Sequence, residues 1–86
     1  MQFALELYLP RHRRDGVPET VARAQAAAEE LQRFGTAVRF ARSISLPDDE
    51  VCFLVFEACA EEAVTEAARR ASITFERVIA MEVGGH

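Results

Sequence analysis

Between Gly35 and Ala58 the chain reads GTAVRFARSISLPDDEVCFLVFEA, two strand-like runs joined by Pro47-Asp48-Asp49-Glu50. Proline presets its own φ and aspartate side chains bond the nearby backbone, so this tetrapeptide is a turn and the segment is a β-hairpin. Its strands are expected at Ala37 to Leu46 and Val51 to Glu57. Alanine-rich helical segments flank it on both sides, which leaves few folds open to the chain.

The rest of the chain fits around the hairpin. Gln2 to Leu9 alternates, with Phe3, Leu5, Leu7 and Leu9 on one face and Ala4, Glu6 and Tyr8 on the other, as a strand does. Pro10 to Gly16 is a basic loop. From Pro18 to Phe34 the positions Val21, Ala24, Ala28, Leu31 and Phe34 fall at helical spacing. Pro18 and Glu19 suit a helix start and Gly35 a stop. Ala60 to Ala71 predicts a second helix with a smooth alanine face, Cys59 at its N-cap and Glu62 three residues on. Phe75 to Val83 is a last strand, and Gly84-Gly85-His86 a loose tail.

Strand, helix, strand, strand, helix, strand is the order of the ferredoxin-like βαββαβ sandwich, an α+β fold. It consists of a four-stranded antiparallel sheet with both helices on one face, here as a single domain over residues 1–86. The bare face of such a sheet should be polar. In this hairpin the alternation instead puts Val38, Phe40, Ile44, Val51, Phe53 and Val55 on one side, and Ala41, Cys52, Leu54 and Phe56 on the other. An apolar bare face is a large exposed patch unless something covers it. The equivalent face of a second copy would do so, giving a homodimer of the dimeric α+β barrel type.

Size and charge point the same way. A chain of 86 residues can bury only a modest core, and self-association adds to it. Half of the residues are hydrophobic and 28% are charged, so the chain has the means to fold. A net charge of -4 argues against sequence-independent binding of nucleic acid. No apolar run is long enough to cross a membrane, and a strand-like segment follows Met1 at once, with no signal peptide, so a cytoplasmic setting is expected. Cys52 and Cys59 agree: seven residues apart along an extended chain means roughly 20 Å, far beyond disulfide reach.

Polar groups on these apolar strands are the candidate ligand-binding residues: Glu6, Tyr8, Arg39, Arg42, Ser43 and Glu57. A carboxylate such as Glu6, mid-way along a central strand, must be paired or line a wet cavity. Tyr8, Arg39, Arg42 and Ser43 are its candidate partners. If Ser45 pairs with Cys52 across the hairpin, Arg42 lies opposite Val55 and diagonal to Glu57. These groups either set strand register and subunit contacts or ring a small pocket inside the barrel. The Arg11, Arg13 and Arg14 loop reads as a solvated basic loop, and the Asp48-Asp49-Glu50 tip is too short for calcium. Neither a Ser-His-Asp arrangement nor a glycine-rich phosphate loop is present.

FALELYLP, VRFARS, LPDDEVCFLVFEA, AVTEAARRA and FERVI together resemble a small ferredoxin-like bacterial family of unknown function, often named nickel-binding protein. The likeness runs from Phe3 to about Val83 and rests on Glu6, Arg42-Ser43 and Phe56-Glu57-Ala58. It implies a dimer and the binding of a divalent transition metal such as nickel. Relatives tend to carry histidine at the position of Arg42, cysteine at Leu54, arginine at Leu7 and glycine at Arg11. Arginine and leucine donate no lone pair to a metal, which leaves Cys52, His12 and the terminal His86 as soft or borderline donors.

The resulting expectation is a small dimeric ligand-binding protein. The alternative is a cofactor-independent dimeric barrel enzyme (an oxygenase, cyclase or isomerase) acting on a small hydrophobic substrate. In that case Glu6 would be its acid or base, Tyr8 with Arg39 or Arg42 its orienting groups, and Phe40, Phe53 and Phe56 its walls. A partner-docking domain without a ligand is a third possibility and would fill the barrel interior with side chains.

Overall fold

The computed structural model describes residues 1–82. Strand β1 (Gln2–Tyr8) leads through a 3-10 turn at Arg11–Gly16 into helix α1 (Val17–Arg33). Strands β2 (Val38–Leu46) and β3 (Val51–Ala58) form the hairpin around a 3-10 turn at Pro47–Asp49. Helix α2 (Glu61–Arg70) and strand β4 (Arg77–Met81) follow. The expected strand end at Val83 and the tail at Gly84-Gly85-His86 lie outside the described residues. The sheet order is β2-β3-β1-β4 with every neighbouring pair antiparallel, the ferredoxin-like α+β arrangement. No helix among the described residues is long and apolar enough to cross a membrane.

Both helices cover the same face. Phe3 and Leu5 of β1 and Cys52, Leu54 and Phe56 of β3 pack against Ala24, Ala28 and Leu31 of α1 and Val64, Ala67 and Ala68 of α2. Alanine at most of the helical contacts lets the helix axes lie close to the sheet, so a small chain still fully seals large side chains between helices and sheet: Phe56, Leu5, Leu54 and Val64. Across the helix pair, the Arg70 guanidinium reaches Glu30 of α1 and Glu66 of its own helix.

Helix ends explain two departures from the sequence reading. α1 closes where Gly35, at φ 92°, lets its own N–H reach the Gln32 carbonyl and the Thr36 N–H reach that of Leu31. Phe34 is the residue on which the helix stops, and its ring stays 75% exposed instead of extending the apolar stripe. α2 starts one residue later than expected. Ala60, in an extended conformation, is the N-cap, no side chain caps the helix, and Cys59 sits before it with its N–H on the Ala37 carbonyl. The same helix closes with Ser72 in the left-handed region at φ 56°, where the Ser72 and Ile73 N–H groups bond the Arg69 and Ala68 carbonyls.

The hairpin departs once, with consequences for the site. A register shift between Phe40 and Arg42 places a bulge in β2. Before it, Val38 and Phe40 face the helices, and the Phe40 ring meets Phe56 edge-on at 5.5 Å. Beyond it, Arg42, Ile44 and Leu46 stand opposite Val55, Phe53 and Val51, on the side away from the helices. Strict alternation puts Val38, Phe40 and Ile44 together; the extra residue separates them. Ser45 does pair with Cys52, and Arg42 with Val55.

Candidate functional site

The face away from the helices is the most distinctive surface of the molecule. Its two central strands contribute Ala4 and Glu6 from β1 and Phe53 and Val55 from β3, which stand beside one another in register. Val55 and Ala4 are fully shielded although no helix lies over them, so longer neighbours must close across them. The flanks stay wet: Ile44 is 38% exposed, Leu46 43% and Tyr8 63%.

Charge enters this face in register with itself. Arg77 of β4 stands opposite Glu6, and its Nε donates to Glu6 Oε1 at 2.6 Å. At one end of the sheet Arg39 stands opposite Glu57. Gln2 donates its side-chain N–H to Glu57 Oε2 at 2.8 Å, and the Met1 amino group lies 3.7 Å from Oε1. The Gln2 hydrogen bond, helped by the amino terminus and Arg39, holds the Glu57 carboxyl below its ordinary value.

Of the six residues expected to bind a ligand, Glu6, Tyr8, Arg39, Arg42 and Glu57 share this face, whereas Ser43 stands opposite Leu54 and belongs to the other side of β2. The face holds two separate pairs rather than a ring. Strand β3 lies between Glu6 and the arginines of β2, two strand spacings or about 9.5 Å across, so neither Arg39 nor Arg42 answers Glu6. Its partner, Arg77, is a residue that the sequence reading missed. Pairing the first and last strands, as the fold requires, puts FERVI beside Glu6 and was the signal available. Gln2 was missed as well, because a strand's first residue carries no pattern. As a general base, Glu6 would have to act with Arg77 already donating to it.

The metal candidates lie elsewhere. Cys52 is 2% exposed beneath the helices, and its Sγ is 3.8 Å from the Ser45 hydroxyl. Burial pushes its thiol up, partly offset by the Ser45 contact, so the thiolate that binds metal or attacks electrophiles is disfavoured. It forms part of the floor of a cavity of about 250 Å³ walled by Tyr8, Arg13, Val17, Thr20 and Arg23. His12 is exposed in the first 3-10 turn and borders a different hollow, with Tyr8, Arg13, Thr74 and Glu76. Among the described residues no group of three or more His, Cys, Asp or Glu side chains could hold a metal ion. Among the described residues of one chain the donors therefore do not gather into a nickel site; His86 lies outside the described residues.

Comparison with known proteins agrees with the fold. The profile of a family described as "Nickel responsive protein SCO4226-like" matches residues 8–81. The chain belongs to the SCO4226-like family. Among solved structures, that of SCO4226 from Streptomyces coelicolor A3(2) superposes with a TM-score of 0.80 and covers 99% of this chain and 100% of that one. Only 14% of the residues are identical, so this likeness speaks for the fold. No curated protein matches the chain. The family's description names nickel; among the described residues of one copy, the side chains that would answer to it do not gather.

Proposed function

We propose that this chain is a small homodimeric binding protein, in which two copies join through their bare sheet faces and hold a small ligand between them. The observation that supports it best is an apolar sheet face that no helix covers, with Tyr8, Ile44 and Leu46 left wet in a single chain. Each Å² of apolar surface kept from water is worth about 25 cal/mol, which matters to a chain with so small a core. Glu6 with Arg77, and Glu57 with Gln2 and the Met1 amino group, can enter an interface because each carboxylate brings its own partners along.

A divalent transition metal such as nickel is the occupant that the family's description suggests. It would have to draw donors from both copies. Free thiols at Cys52 and Cys59 suit a reducing, cytoplasmic setting. Calorimetric titration of tag-free protein at about 100 μM tests the metal, since micromolar binding gives plain heat at that concentration. Heat from nickel supports it; silence with nickel, zinc and copper removes it.

A further inference from the structure

The charges on the bare face do not cancel. Facing away from the helices are three arginines (Arg39, Arg42, Arg77), the Met1 amino group beside Glu57, and two glutamates (Glu6, Glu57), which leaves +2 on this face of a chain whose formal total is -4. Arg77 is bonded to Glu6, and Arg39 stands opposite Glu57 and draws its carboxyl down. Arg42 is left over. It stands opposite the shielded Val55, on the same edge strand as Ile44, and makes no ion pair or side-chain hydrogen bond among the described residues.

Joining two such faces encloses apolar walls with two guanidiniums that have no counter-charge on either face. Burying an unpaired guanidinium is strongly unfavourable, so the enclosed space demands an anion. The planar fork of arginine matches a carboxylate through two parallel hydrogen bonds, and Phe53, Val55 and Ile44 offer only dispersion and apolar contact beside it. From this charge balance we infer that the ligand held between the sheet faces is a small apolar carboxylate, with its anionic head on Arg42 and its body on Phe53 and Ile44. This rests on the sheet-face dimer proposed above, not on its metal, and gives that interface an organic-anion site at Arg42.

The test uses tag-free full-length protein, with octanoate as the probe and 1-octanol as its uncharged counterpart. Light scattering first gives the mass, and calorimetry then gives the affinities. The expected result is a dimer that binds octanoate at least tenfold more tightly than 1-octanol. Arg42→Gln should stay dimeric and lose octanoate affinity by roughly ten- to a hundredfold, the worth of a charge-assisted pair, with 1-octanol binding unchanged. A monomer overturns the dimer and this inference together. A dimer that ignores octanoate, or binds it equally well as Arg42→Gln, overturns this inference alone. An Arg42→Gln variant that falls apart into monomers also overturns it, by showing that Arg42 is paired with a carboxylate of the partner subunit.

Discussion

On the helix side of the sheet, Leu5, Leu54 and Phe56 are sealed by side chains from α1 and α2, most of them alanine. On the other side, Val51, Phe53 and Ile44 have the same chemistry and only one another and a few long polar neighbours to lie against. The first face is a finished core. The second has the composition of a core and the exposure of a surface, the condition in which a small domain gains most from a second copy. The difference teaches that apolarity alone does not tell a core from an interface; the number of layers available to cover each face does.

The largest effect should come from the finished core. Phe56→Ala removes a fully buried ring that meets Phe40 edge-on and should cost about 3–5 kcal/mol, read as a lower denaturation midpoint in urea. A comparable cost from Phe53→Asp would show that the bare face is buried too. The expected outcome is loss of the dimer and a melting temperature that falls with it. If Phe53→Asp keeps both mass and melting temperature, the bare face is an ordinary surface.

Acid should act on the rim of the bare face. The Glu57 carboxyl is held below its ordinary 4.5 in the folded chain, so its contribution is present above that value and is lost as pH falls through the lower, folded one. Glu57→Gln should therefore flatten the fall in melting temperature on acidification below about pH 4.5. An unchanged acid limb would show that the Gln2 and amino-terminal contacts do not hold in solution.

Smaller effects lie away from both faces. Ser72 adopts the left-handed conformation that glycine takes without steric cost, so Ser72→Gly should raise stability by up to about 1 kcal/mol. Gln25→Glu, on the exposed side of α1, should stay within about 0.5 kcal/mol of the parent.

Most of the fold was legible in the sequence because it follows from local pattern. The β1 alternation, the alanine stripes of the helices and the turn at Pro47 are short-range signals, and together they permit one topology. The site was legible only in part, for three physical reasons. The bulge at Phe40–Arg42 adds one residue and reverses which face every later side chain of β2 joins, and no residue type announces it. The Glu6–Arg77 pair spans 71 positions and exists only because the fold sets β4 beside β1. The cap of α2 fell on Ala60, a residue without a capping side chain, so the cysteine before it drew the assignment.

Whether the bare face is a subunit interface can be asked most directly by light scattering at about 100 μM, paired with melting curves over a hundredfold range of concentration. A sheet-face dimer predicts a particle of twice 9.6 kDa and a melting temperature that climbs with concentration. A stable particle of 9.6 kDa that melts at one temperature throughout would contradict it.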